Sequence, residues 1–205
     1  LTEADTGFAT LMEKSIVVAY NMKQDMLEGD AVEKGNIKAA DWKKDKEALK
    51  DTNFVLVSDN CWGGAIYQWL DRPYNSPFVG VGIYGDCYIK LLSNFDFYME
   101  QKLHFVNKSK YPERELNYPL AKLGDIEIHF RHYKNEEEAK IKWERRTKRM
   151  LEETNRDNYY FKICNAWSAN KTNFKKFHQL PLKNTVSFHI AEKSTIETAA
   201  HIRIF

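Results

Sequence analysis

Hydrophobic and polar positions change their rhythm once along this chain. Up to residue 50, Phe8, Leu11, Met12, Ala19, Met22 and Met26 recur at helical spacing, Gly29 interrupts, and a second charged helical stretch covers residues 39–49. The pattern predicts a helical N-terminal extension over residues 1–50, set apart also by its lack of proline, cysteine and arginine. It carries no recognisable chemistry and reads as a packing or partner-contacting segment.

From Phe54 onward short apolar runs alternate with helical periods. Residues 54–57 form a buried-strand run that ends in turn and cap residues, Ser58-Asp59-Asn60, and Gly63-Gly64 then opens a helix reaching Leu70. Residues 79–83 read as a second strand. Tyr88, Leu91, Leu92, Phe95, Tyr98 and Met99 follow it on one helical face. The two prolines of residues 111–123 imply an irregular loop, and residues 125–131 alternate strictly, as a strand does. Asn135 with Glu138 resembles a capping box and starts a long helix to about Glu153. Strands over 159–164 and 185–190, with a helix over 174–180 between them, complete the series. Strands alternating with helices at this spacing indicate βαβ units, so the expected fold is α/β, a largely parallel sheet flanked by helices in a core domain of residues 51–205.

Composition narrows the setting. A chain of 205 residues suits one core, and 43% apolar, 29% charged and 14% aromatic residues describe an ordinary folded protein. The net charge of +2 provides no global field for nucleic acid or an anionic membrane. No apolar run approaches the roughly 18 residues that span a bilayer. Cys61, Cys87 and Cys164 are odd in number and widely spaced, which fits neither a disulfide framework nor a metal knuckle. With no export signal in view, a cytoplasmic location is expected.

Two segments carry candidate chemistry. The turn Ser58-Asp59-Asn60-Cys61-Trp62-Gly63-Gly64 lies where a buried strand feeds a helix, and ligands of open α/β sheets bind beyond such strand ends. There Asp59 is a candidate catalytic carboxylate, Cys61 a candidate nucleophile, and Asn60, Trp62, Gly63 and Gly64 candidate substrate contacts. Asp59 or Asn60 acting only as a cap, and Gly63-Gly64 serving only close packing, would give the same pattern. In the second segment Asp125, Glu127, His129 and Arg131 share one face of the alternating strand. Two carboxylates and an imidazole on one face suit a divalent metal, or a general base with an orienting partner. A solvent-facing strand shows the same alternation. His132, just past the strand end, is a further catalytic candidate. If all strands share one parallel sheet, the Asp59 turn and His132 lie on the same edge and line one cleft.

Tyr74, Asn75 and Ser76 place an aromatic ring beside hydrogen-bonding groups suited to a sugar, although a turn ended by Pro77 explains them too. Lys142, Arg145 and Arg149 fall within about 60° on the long helix, so Arg145 is a candidate for diphosphate recognition. Glu138, Glu152 and Glu153 at helical spacing make a salt-bridged solvent face the simpler account.

Residues 58–64, 74–80, 125–130, 132–133, 138–140 and 143–146, with Leu180-Pro181-Leu182-Lys183-Asn184 near the end, together resemble a bacterial family without established activity. Its members are commonly described as exopolysaccharide or capsule biosynthesis proteins. The resemblance runs from Phe54 to the end and implies a role in surface-polysaccharide assembly, with an activated sugar or glycan precursor as partner and other assembly proteins nearby. This chain departs from the family after Cys164, where residues 165–170 contain neither an acid nor a glycine. The expectation is a transferase, although no DxD metal motif is present. A non-catalytic binding or scaffolding protein, and a hydrolase or acyltransferase using Cys61 with His129 or His132, are the alternatives.

Overall fold

The computed structural model describes residue 47, residues 49–111 and 116–190, and the backbone of residues 201–204. The helical extension expected over residues 1–50 lies outside the described residues except for its last few. Two compact units are distinguished. One includes residues 49–53 and Ala65–Pro73, and the other Phe54–Gly64 and Tyr74–Arg203. Within the first, the Arg72 guanidinium donates to the carbonyls of Leu49, Lys50 and Thr52. Among the described residues no helix is long and apolar enough to cross a membrane.

The larger unit is α/β, with its parallel part in one sheet. Strands β1 (Val55–Ser58), β5 (Tyr159–Cys164) and β6 (Asn184–Ile190) pair in parallel in the order β1-β5-β6, and β7 (His201–Ile204) extends the sheet beyond β6. Val55 to Ser58 are all buried, which is why this run is almost purely apolar. Helices α1 (Trp62–Trp69), α2 (Gly85–Ser93), α3 (Phe95–Met99), α4 (Glu136–Glu152) and α5 (Lys171–Gln179) follow in chain order. Asn135 caps α4 by accepting from the Glu138 amide, and Asn170 with Asn173 forms a reciprocal capping box at α5. Phe78, Tyr88, Phe130, Trp143, Phe161, Phe174 and Phe177 fill the core.

The expected α/β fold with a parallel sheet and flanking helices is present, and a second, antiparallel sheet accompanies it. Strands β2 (Leu103–Phe105), β3 (Leu120–Leu123) and β4 (Ile126–His129) are antiparallel, and β3 and β4 join through a two-residue turn at Gly124-Asp125 with Gly124 at φ 61°. The end of the segment expected to be an irregular loop is therefore strand. Residues 79–83 do not form one. Gly80 takes φ 74°, which a strand cannot accommodate, leaving one antiparallel bridge from Gly82 to His129. The helix expected through Met99 breaks at Asn94, where φ is −146°.

Gly82 is also where the backbone meets the Trp167 indole, since a Cβ there would lie 2.5 Å from that ring. We expect Gly82→Ala to displace the indole, lowering stability by about 1–3 kcal/mol and changing the near-ultraviolet circular dichroism. An unchanged spectrum with unchanged stability would refute this contact.

Candidate functional site

The carboxyl edge of β1 and β5 is organised around a buried lysine. Lys162, 2% exposed, sits in the middle of an apolar strand, and its ammonium must find acceptors there. It finds three. Nζ donates to Asp59 Oδ1 at 3.0 Å, to Asn60 Oδ1 at 2.9 Å and to Cys164 Sγ at 3.0 Å. Asp59 Oδ2 accepts from the Cys164 amide, and Asn60 also donates to Cys164 Sγ and accepts from the Trp62 amide at the start of α1. Burial pushes the Asp59 carboxyl up from the ordinary carboxylate range, and Lys162 opposes that shift. Burial is the largest single influence on the Lys162 ammonium and pulls it down, but the charges and hydrogen bonds of Asp59 and Cys164 together outweigh it and hold the lysine above its usual value. Burial also pushes the Cys164 thiol up.

The residues of the predicted turn have structural work within this network. Asp59 is wholly buried, and Asn60 is half-buried and bridges two backbone segments. The Trp62 ring packs edge-on against Phe188 and lies 5.4 Å from Lys162 Nζ. Gly64 backs onto Val79, where a Cβ would stand 3.0 Å from a methyl, and Gly63 is also buried. Cys61 is half-buried and, among the described residues, forms no disulfide.

Beside this network a cleft of about 260 Å³ opens beyond the same strand ends. The Ile83 amide donates to the Asp59 carbonyl at 2.8 Å, which carries the chain from the β1 edge to Tyr84, Gly85 and Asp86 at the start of α2. The turn after β5 supplies Trp167 and Ser168, and Ser168 Oγ accepts from the Gly85 amide at 3.0 Å. Tyr84 and Tyr111 stack with centroids 3.7 Å apart and planes 7° from parallel, and Trp167 lies 4.8 Å from Tyr84. The opposite wall is polar. Asn173 Nδ2 donates to the exposed Asp86 carboxylate at 2.8 Å, and Asn170 stands beside them.

The alternating strand is placed differently from the expectation of a shared parallel edge. Glu127 and His129 do lie together, both buried, with Nε2 and Oε2 3.6 Å apart. Glu127 is held by Ser109 Oγ at 2.7 Å and the Lys110 amide at 2.9 Å, while the Tyr118 hydroxyl is 3.3 Å from His129 Nδ1. The imidazole packs 5.2 Å from Tyr84 and 5.6 Å from Trp167, beneath the aromatic wall. Asp125 is separate from the pair, exposed and bound to Lys90 and Tyr98, which hold its carboxyl below the usual range. His132 is exposed and follows no strand of the parallel sheet, because β4 belongs to the hairpin. Among the described residues no group of three His, Cys, Asp or Glu side chains is placed to hold a metal ion.

Asn75 donates to the Phe54 carbonyl and Ser76 to that of Leu56, so this part of the 74–78 loop braces β1. Tyr74 lies over the guanidinium of Arg146, which is buried where Arg145 is exposed. Sequence reasoning missed Lys162, Tyr84, Asp86, Tyr111, Trp167, Ser168 and Asn173. Lys162 did leave a signal, as the one charge in the run Tyr159 to Cys164.

Residues 32–205 match the family described as Domain of unknown function (DUF1919), and the chain belongs to that family. Over 157 residues it is 36% identical to an uncharacterized protein of Haemophilus influenzae, the match covering 77% of this chain and 71% of that protein.

A buried ion pair is costly to break from one side. Asp59→Asn and Lys162→Met should each lower the unfolding free energy in urea by about 3–5 kcal/mol, because each leaves one charge uncompensated. The double variant should recover most of that loss. Additive costs in the double variant would show that the two charges are not coupled.

Proposed function

We propose that this member of the family acts in surface-polysaccharide assembly as a transferase, taking an activated sugar or glycan precursor in the cleft between Tyr84, Tyr111 and Trp167. The observation that carries the reading is the composition of that cleft. The part-exposed Tyr111 ring and Trp167 indole, backed by the buried Tyr84, offer apolar ring surface to the C–H side of a sugar, and Asp86, Ser168 and Asn170 offer partners for its hydroxyls. At about 260 Å³ the cleft fits one sugar unit better than a long glycan. Its position beyond the carboxyl ends of parallel strands is where α/β sheets ordinarily hold ligands. The polysaccharide setting rests on the motif resemblance, and the sugar chemistry rests on the cleft.

Asp86 is the cleft's carboxylate and is held by Asn173. In a transfer step it would accept the proton of the acceptor hydroxyl as that oxygen bonds to the sugar and the activated leaving group departs. Glu127 and His129 would act from beneath, by fixing the aromatic wall. Their burial under that wall also favours a second reading, a non-catalytic carbohydrate-binding protein, since neither side chain opens onto the cleft.

Calorimetric titration with nucleotide sugars and phosphorylated glycans tests both readings. Trp167→Ala should weaken the best ligand about tenfold, or roughly 1.4 kcal/mol. Asp86→Asn should lower turnover by about 100- to 10,000-fold while binding persists. Binding with no turnover by the unaltered protein would favour the second reading, and a folded protein that binds no member of the panel would exclude both.

A further inference from the structure

The side of α4 turned away from the core has a pattern that the cleft does not use. The buried residues of this helix, Ala139, Trp143, Arg146 and Met150, form one stripe at helical spacing. Ile141, Glu144, Lys148 and Leu151 recur at intervals of three, four and three, so at 100° per residue they fall within about 80° on the opposite side. All four are exposed, Ile141 by 54% and Leu151 by 43%. Two apolar residues therefore bracket an acid and a base.

Glu144 and Lys148 stand in the order and spacing that ordinarily pair along a helix. Glu138 and Lys142 in the same helix do pair, at 2.6 Å. Glu144 and Lys148 form no ion pair with each other or with any described residue. Both charges remain available to a partner.

We propose that this stripe docks a second copy of the chain, the two α4 helices crossing antiparallel on a twofold axis at position 146. In that register Ile141 lies against the partner's Leu151, and Glu144 lies against the partner's Lys148. Both pairs are centred on position 146, so one alignment satisfies both, and twofold symmetry makes each of them twice. A parallel alignment in register would set Glu144 against the partner's Glu144. The helix as a whole favours the antiparallel choice, since it starts at Glu136, Glu137 and Glu138 and turns basic at Arg145, Lys148 and Arg149. Beside Leu151 a groove of about 500 Å³, lined in part by Met99, Leu103 and Trp143, continues the apolar surface. Stable interfaces ordinarily bury roughly 1,200 Å² or more, and a contact centred on one helix face is of the weaker kind, so the dimer depends on concentration.

Sedimentation equilibrium of the full chain, from micromolar to near-millimolar concentration, tests this. The unaltered protein should dimerise reversibly. Glu144→Lys and Lys148→Glu should each raise the dissociation constant about tenfold, because each sets like charges together at two symmetry-related points. The two exchanges combined should restore the original constant, with far-ultraviolet circular dichroism unchanged throughout. A monomer at every concentration, including one that captures some other protein on this stripe, overturns the proposal. So does a dimer indifferent to the single exchanges, or one that the combined exchange fails to restore.

Discussion

A lysine ammonium placed inside a parallel sheet must be given a full set of acceptors, and that demand shapes the carboxyl edge of this protein's parallel sheet. Lys162 has Asp59, Asn60 and Cys164 as its three partners, drawn from the ends of two adjacent strands. Meeting the demand fixes the Ser58 to Gly64 turn against β5 and leaves Asp59 no freedom to act as a solvent-exposed acid. Burial of such a pair gives little net stability, because desolvation offsets most of the attraction. Its effect is to fix geometry. The arrangement of the β1 and β5 ends gives the ammonium its three acceptors, and the turns leaving those ends carry the cleft.

From that edge the chain builds the cleft in two directions. The Ile83 amide bonds to the Asp59 carbonyl and brings Tyr84 and Asp86 forward, while the turn after Cys164 brings Trp167 and Ser168 to meet them. The β3-β4 hairpin closes the arrangement from below. Glu127 and His129 occupy the same face of β4, and the cover of Tyr84 and Trp167 turns what would be a wet strand face into a supporting layer. Gly82 permits this because its missing side chain leaves room for the Trp167 ring.

The regular elements were legible wherever periodicity ran long enough. The 54–57 apolar run, the 3.6-residue rhythm of α4 with its Asn135 cap, and the strands at 159–164 and 185–190 all stood out, and the α/β class followed. The direction of β4 was not legible. Its hairpin partner has four residues, is interrupted by the exposed Lys122, and follows a proline-bearing stretch that signals a loop. Residues 79–83 looked like a strand because Val and Ile dominate, but the positive φ of Gly80 is a property of the folded backbone. The Asp59 turn was visible as strand-end chemistry, whereas the cleft was not. It is assembled from residues near 84, 111 and 170, and no local pattern connects segments so far apart. An aromatic residue in each of them reads, taken singly, as core.

The claim that most needs a direct measurement is that the cleft beyond β1 and β5 receives a sugar ligand. Backbone amide chemical shifts followed during titration with a nucleotide sugar would locate the contact residue by residue. The expected result is saturable shifts centred on the amides of Gly85, Ser168 and Asn173. Saturable shifts centred elsewhere, with these three amides unmoved, would contradict the account.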